Sequence, residues 1–382
     1  MTRRVTRREA TASAPGRLDV MGGVADYSGS LLLQLPVAEE TRVRLRRGGA
    51  RYELRSHHLA DGSTRTAEVA PDPAAMRAAP TWTRYVLGAV ALASERYGLP
   101  LEPLAVDVES GVPIGGGLSS SAALEVATLR ALTALYDLRW PDALALPRLA
   151  QRVEHEWVGA PCGLMDQLAV HCGTPGALLP IRCQPASVGA AIPLPPGLSF
   201  RVAQSHVEHS VGGRAYARAR TAAFMGLRLL TALGAARDGY LANVPLADFE
   251  ARWARRLPRE MTGADFLARH GPHLDPQTTP RPGEVYPVRA ASAHPIREHA
   301  RVTAFAGALR AANAERRALR GAELRRLGAL MDASHESYTA IGLGHPATDA
   351  IAAAARDEPG VYGARVTGGG AGGAVCVMFS PT

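Results

Sequence analysis

The sequence predicts an α+β chain of mixed strands and helices in two parts, and three observations carry that reading. Leu104, Val106 and Val108 alternate with Ala105, Asp107 and Glu109, the period of a strand; Gly115, Gly116 and Gly117 and three serines follow, and Ala122–Leu135 then runs rich in Ala and Leu without Gly or Pro, as a helix does. The C-terminal end reads strand, glycine loop, strand over 361–366, 367–373 and 374–379. Between them lies the Pro-rich stretch Ile192-Pro-Leu-Pro-Pro-Gly197, the best boundary, which divides the chain into units at 10–196 and 197–382.

The remaining elements follow in order. Thr41–Ser56 reads as a hairpin, with Val43 and Leu45 alternating with arginines, a turn at Gly48-Gly49, and Tyr52 and Leu54 alternating back. Pro80–Tyr97 reads as a helix with Pro in its first turn and Gly98 just past its end; Trp82, Tyr85 and Val86 share one face, which is most simply core. Ala143–Trp157 is a second helix, with Leu146, Leu149, Ala150, Val153 and Trp157 inward. Beyond the boundary, 198–203 is strand-like, 215–233, 300–311 and 322–334 are helical, and the Pro/Gly-punctuated 271–287 reads as a surface loop.

With 382 residues and 47% hydrophobic side chains the chain can bury a sizeable core, and with only 5% aromatics that core is mostly Ala, Leu and Val. The net charge of +8 favours an anionic small molecule over nucleic acid, because the arginines are scattered among acids with no interleaved aromatics to stack bases. Cys162, Cys172, Cys183 and Cys376 form no CxxC pair, no stretch is apolar enough to span a membrane, and the basic N-terminus lacks a signal core; a cytoplasmic protein is expected.

The loop at 115–121 is built for phosphate. Glycines let the backbone approach a ligand, and the free N–H groups at the following helix N-terminus attract an anion. It is not a Walker loop, which needs a Lys beside the Ser/Thr. The chain contains no Lys at all; its 43 basic residues are all Arg. Lysine-dependent chemistry is thereby excluded.

Three segments in order, Ala14–Gly29, Pro113–Leu124 and Val366–Gly373, together resemble the three signatures of the GHMP kinases. The resemblance covers residues 12–380. It implies a two-domain GHMP kinase fold: an N-terminal domain like the second domain of ribosomal protein S5 and a ferredoxin-like C-terminal domain. Gly159-Ala-Pro-Cys-Gly-Leu-Met-Asp-Gln167 and Ser334-His-Glu-Ser337 resemble segments of the galactokinase group of sugar 1-kinases. The resemblance implies ATP and Mg²⁺ as cofactors and small-molecule partners only, with no nucleic acid or membrane, in a monomer or homodimer. Asp166 is implied beside the substrate hydroxyl as catalytic residue, with Arg17 as its partner. Glu154, 12 residues before Asp166, and Ser121 are the implied metal ligands. Gly115, Gly116, Gly117, Leu118, Ser119, Ser120, Ser121, Gly369 and Gly370 are implied at the nucleotide phosphates. Asp26, Gly23, Val24, Cys162 and Gly163 are implied at the sugar.

One departure bears on the substrate. Galactokinases usually carry Gly-Glu-His-Thr-Asp-Tyr where this chain has Gly22-Gly23-Val24-Ala25-Asp26-Tyr27. The acid and the histidine that grip the hydroxymethyl end of galactose are missing, and an unpaired hydroxyl there would cost roughly 1–3 kcal/mol. L-Arabinopyranose has galactose's ring stereochemistry without that carbon. Residues 14–30, 159–167 and 341–344 also resemble plant arabinokinases, in which a glycosyltransferase-like region, not found in this sequence, precedes the kinase portion. The expected activity is therefore 1-phosphorylation of L-arabinose; the alternatives are a D-galactose kinase and a non-catalytic, galactokinase-like sugar sensor.

Overall fold

The computed structural model describes residues 7–160, 162–207 and 213–381. Pro161, within the 159–167 segment, lies outside them. The chain packs as two units: residues up to Arg17 with Pro36–Pro175, and Leu18–Leu35 with the chain from Gly176 onward. Residues 18–35 and 176–196 thus group with the C-terminal part. The strands β1 (Glu9–Met21) and β2 (Leu32–Arg47) each pass from one unit into the other.

In the first unit β2 is joined by β3 (Tyr52–His58), β4 (Thr64–Val69) and β5 (Leu104–Ser110), in the order β4-β3-β5-β2, and β1 also pairs with β2. The predicted 41–56 hairpin is not formed. β5 lies between its two arms, antiparallel to β2 at Val43↔Val108 and parallel to β3 at Leu54↔Val106. Leu104, Val106 and Val108 of β5 join Val43, Leu45, Tyr52 and Leu54 of the two arms in one apolar cluster, so β5 seated between them keeps all three buried faces on the same core. Helices α1 (Pro73–Ala78), α2 (Thr81–Tyr97), α3 (Ser120–Tyr136), α4 (Ala145–Val153) and α5 (Met165–Cys172) complete the unit. One apolar cluster joins Val43, Leu54 and Val106 of the sheet to Val86 and Leu87 of α2 and Val126 and Leu129 of α3. Gly98 closes α2 in the left-handed conformation, φ 62°, as its sequence position suggested.

The predicted 143–157 helix changes character part-way. After α4 the chain widens into a π-turn over Glu154–Val158, closed by Gly159 at φ 83°. Such widenings recur at functional sites because they turn one side chain out of helical register.

The second unit contains β6 (Ala177–Cys183), which pairs with β7 (Ala186–Val188), β8 (Ile192–Pro193) and residues 32–34 of β2. A separate sheet sets β13 (Ala374–Phe379) between β9 (Ser199–Gln204) and β12 (Val361–Val366). Its helices are α6 (Arg214–Ala232), α7 (Leu246–Asp248), α8 (Gly263–His270), α9 (Val288–Ala314), α10 (Gly321–Ala340) and α11 (Pro346–Arg356). α9 is longer than its sequence suggested and passes through the buried Pro295, whose lost hydrogen bond is outweighed by packing of Val288, Ala291 and Ile296 into the apolar cluster. The 271–287 segment is not simply surface loop. Asp275 is buried in a two-bond ion pair with Arg220 of α6 (2.7 and 2.8 Å), and Val285–Tyr286 forms β11 against β10 (Met261–Thr262).

Candidate active site

The first unit gathers a set of buried charges at the N-terminus of α3. β1 brings Pro15-Gly16-Arg17 against the glycine loop. Gly16 must lack a side chain, because a Cβ would lie 2.8 Å from the Leu118 carbonyl oxygen and 3.0 Å from Val112 and Val37. The Arg17 amide donates to that carbonyl (3.0 Å), and its guanidinium donates to the Gly117 carbonyl (2.6 Å). Gly115 and Gly117 take φ of 70° and 71°, and Ser119 takes φ 58°. A left-handed serine is strained; it is held there by the hydrogen bond of its hydroxyl to Asp166 Oδ2 (2.6 Å). α3 starts at Ser120 with no side-chain cap on its first turn, an arrangement that suits an anion.

Asp166 stands in the first turn of α5. Arg17, 3% exposed, donates to its Oδ1 through Nε (3.0 Å) and Nη2 (2.7 Å). Ser121 Oγ donates to Glu154 Oε1 (3.0 Å). Glu154 starts the π-turn and is buried; burial, and next the negative Asp166, push its pKa up to about 7. Gln167 Nε2 donates to the same Glu154 oxygen (3.2 Å) and to Glu125 Oε2 (3.4 Å), and approaches Cys162 Sγ (3.8 Å). Glu125 is wholly buried on α3; burial and the neighbouring Glu154 raise its pKa well above the carboxylate range, and its Oε1 has no hydrogen-bond partner among the described residues.

This donor set suits Mg²⁺. It is all oxygen, and the buried carboxylates carry a charge cost that a hard divalent cation would offset. Among the described residues no group of three or more His, Cys, Asp or Glu could hold a metal by itself, so a cation here would share Ser121 and Glu154 with ligand oxygens.

A cavity of about 160 Å³ opens beside the start of α3, lined by Trp82 and Tyr85 of α2, His58 of β3, Ile114, Ser120 and Ser121. Trp82 packs against the apolar cluster, as its spacing suggested, and with Tyr85 also lines this cavity. His58 Nε2 lies 3.1 Å from the Val112 carbonyl.

The other predicted residues take these places. Cys162 is buried against Gln167 in the first unit with its thiol held protonated by burial, and Gly163 follows it on the way to α5. Gly23, Val24 and Asp26 lie in a buried 3₁₀ turn, Gly23–Ser28, of the second unit. Val24 packs in the apolar cluster with Tyr27 and Tyr216 and is 2% exposed, so its side chain serves the core of that unit. Asp26 Oδ1 accepts the Tyr27 amide (2.8 Å). Gly369 and Gly370 lie in the loop after β12; Gly370 has φ 75° and a Cβ there would lie 2.7 Å from the Leu343 carbonyl oxygen. Sequence reasoning missed Gln167's bridging role and Glu125. The signal for Glu125 was present: a single acid in the otherwise apolar Ala-Ala-Leu-Glu-Val-Ala stretch of a helix.

Comparison with known proteins identifies the family. The model of the GHMP kinases N terminal domain matches residues 84–174, and that of the GHMP kinases C terminal matches residues 311–382. L-Arabinokinase of Arabidopsis thaliana is 33% identical over 96% of this chain, which spans 42% of that protein's length. Galactokinase of Bos taurus is 32% identical over 97% of this chain and 84% of its own length. The fold is similar to that of Lactococcus lactis galactokinase, solved in complex with galactose, with a TM-score of 0.75 at 20% identity, covering 98% of this chain and 86% of that one. The chain belongs to the GHMP kinases, in the sugar-kinase branch that contains the galactokinases and L-arabinokinase.

Proposed function

We propose that this protein transfers the γ-phosphoryl group of ATP to the anomeric hydroxyl of L-arabinose. The observation that carries the phosphotransfer is the joining of Arg17, Asp166 and Ser119 at the mouth of the glycine loop. Phosphoryl transfer has a loose transition state, so positioning and charge neutralisation supply most of the catalysis. The amides of 115–121 and the α3 N-terminus would hold the β- and γ-phosphates. The Trp82–Tyr85 cavity, next to Ser120 and Ser121, would take the base. Ser121 and Glu154 would hold Mg²⁺, which supplies charge neutralisation on the phosphate oxygens. The sugar O1 attacks phosphorus, the bond from phosphorus to the bridging oxygen breaks, and ADP leaves. The hydroxyl proton passes toward Asp166, whose Oδ1 is saturated by Arg17. For the sugar, the second unit offers Asp26, Gly23 and the backbone of Val24, and the first unit offers Cys162 and Gly163; Gly369 and Gly370 would serve the phosphate.

The substrate reading is supported by Gly23-Val24, which leaves a galactose hydroxymethyl without its usual partners, and by the 33% identity to L-arabinokinase. The similar identity to galactokinase favours D-galactose as the second reading. ADP release with ATP and Mg²⁺ against both sugars decides between them. Higher kcat/KM on L-arabinose is expected; higher kcat/KM on D-galactose overturns the substrate and keeps the chemistry. Sugar binding without turnover overturns the kinase.

A further inference from the structure

Gly23 has φ +44°, and the place its side chain would occupy is already filled. A Cβ on Gly23 would lie 1.6 Å from the hydroxyl oxygen of Tyr338 and 2.8 Å from its Cζ. Tyr338 comes from α10 and is fully buried. Its hydroxyl accepts the Val24 amide (2.9 Å) and donates to the Gly368 carbonyl (2.9 Å). One oxygen therefore ties the Gly23–Ser28 turn to the loop after β12. The ring is fixed on its other sides. The Arg365 guanidinium stands 5.2 Å from its centroid, His294 meets it edge-on at 5.3 Å, and Gly370 passes where a Cβ would lie 2.9 Å from Cδ1. Burial holds the phenol protonated, so the donor to Gly368 is kept at physiological pH.

We propose that Tyr338 is the positioning residue that sets sugar specificity, by filling the volume of the missing side chain at Gly23 and locking the 23–28 turn so that a pyranose with a substituent on C5 is refused. This rests on the reading above that the turn, through Asp26, meets the sugar. Tyr338 touches no substrate; it acts through the turn. Asp26 lies three residues beyond Gly23 in that turn, so the anchor at Val24 fixes where its carboxylate stands. With the tyrosine oxygen in place, positions 23 to 25 of the turn, Gly-Val-Ala, carry no polar side chain to receive a sixth-carbon hydroxyl. The turn also has no room to retreat from that carbon, because Tyr338 is itself wedged between Arg365, His294 and Gly370. Shape and pairing both act against the larger sugar, which is how a pocket rejects a close analogue.

The test is Tyr338→Phe, which keeps the ring and removes only the oxygen. We expect the ratio of kcat/KM for L-arabinose over D-galactose to fall at least tenfold, chiefly through a lower KM for D-galactose, with the KM for ATP within twofold of wild type. A role in folding alone would depress both sugars together. A folded variant whose ratio stays within twofold of wild type overturns the proposal. If the variant does not fold, the wild-type enzyme answers with 6-deoxy-D-galactose, which has the extra carbon but no hydroxyl on it. Refusal comparable to that of D-galactose is expected from a locked turn; turnover comparable to that of L-arabinose overturns it. A wild-type preference for D-galactose would overturn the substrate reading and this proposal with it, whereas a wild-type preference for L-arabinose with an unchanged ratio in Tyr338→Phe overturns this proposal alone.

Discussion

Arg17 gives both of its hydrogen bonds to Asp166 to the same oxygen, Oδ1, at 3.0 and 2.7 Å, and leaves Oδ2 to the Ser119 hydroxyl. The carboxylate is therefore oriented rather than clamped across both oxygens, and the Oδ2 lone pairs not used by Ser119 remain to accept a substrate proton. Asp166→Asn keeps the shape but puts an amide donor or a neutral oxygen at each of these places. Turnover should fall by about three orders of magnitude or more, the scale of losing a general base or an oriented charge. Sugar affinity, read by calorimetry, should change only a few-fold. Turnover within tenfold of wild type would remove Asp166 from the chemistry.

Glu154 makes a prediction about stability as well as activity. Its pKa, about 7 in the folded chain against 4.5 for the free side chain, means the folded state holds a proton that the unfolded state releases. Stability is therefore present below pH 4.5 and is lost as pH rises toward 7, by up to about 3 kcal/mol. Glu154→Gln removes that loss. Without divalent cations the variant should melt higher than wild type at pH 8, and the difference should vanish below about pH 5. With ATP and Mg²⁺ its turnover should collapse. A variant that melts lower at both pH values would mean the carboxylate is not paying the burial cost assigned to it.

Asp19 and Arg365 form an ion pair at 2.9 Å with both side chains fully buried, and Arg365 Nη1 also donates to the Asp19 and Val20 carbonyls. Asp19 in turn accepts Gln34 Nε2 (2.6 Å) and the Gly23 amide (3.1 Å). Removing one partner of a buried pair leaves an uncompensated charge and costs about 3–5 kcal/mol. Asp19→Leu should reach that range in urea unfolding. The double variant Asp19→Leu with Arg365→Met should cost less than the two single changes added together; strict additivity would show that the two charges do not depend on each other.

Buried histidines give the acid limb, since burial lowers His171, His273, His294, His299 and His335, and His171 and His294 are lowered furthest. Burial lowers His171 and His294 to a pKa of about 4. Each is neutral when folded and protonated when unfolded between that value and 6.5, so stability present above pH 6.5 is lost as pH falls toward 4. His294 Nδ1 lies 2.8 Å from Ser337 Oγ. His294→Gln can keep a hydrogen bond there and cannot take a proton. Its stability should fall less steeply than wild type between pH 6.5 and 4.5, by about 1 kcal/mol per pH unit. Parallel pH curves would exclude His294 as a source of the acid sensitivity.

Local periodicity was legible where a segment had one buried face. The helices at 81–97, 120–136 and 214–232 and the strands at 104–110, 361–366 and 374–379 lie within a few residues of their predicted places. Partner choice was not legible. Val43 and Leu54 alternate correctly, yet β5 intervenes between them, because alternation fixes which face is buried and not which strand lies alongside. The π-turn at Glu154 was invisible for a related reason: the residues read as an ordinary amphipathic helix, and the widening depends on what Glu154 meets.

By itself the sequence determined the chemistry available to this protein. It has arginine as its only basic side chain apart from histidine, a glycine loop opening a helix, and Glu154 and Asp166 in an order that resembles the galactokinase group. These follow from residue type and short spacing. Tertiary structure alone decided which of them meet. Arg17 finds Asp166 across 149 residues, and Tyr338 reaches the Gly23–Val24 turn across 314. Such contacts are selected by the packing of whole elements, in which one oxygen can fill the space of an absent side chain. No local pattern records that.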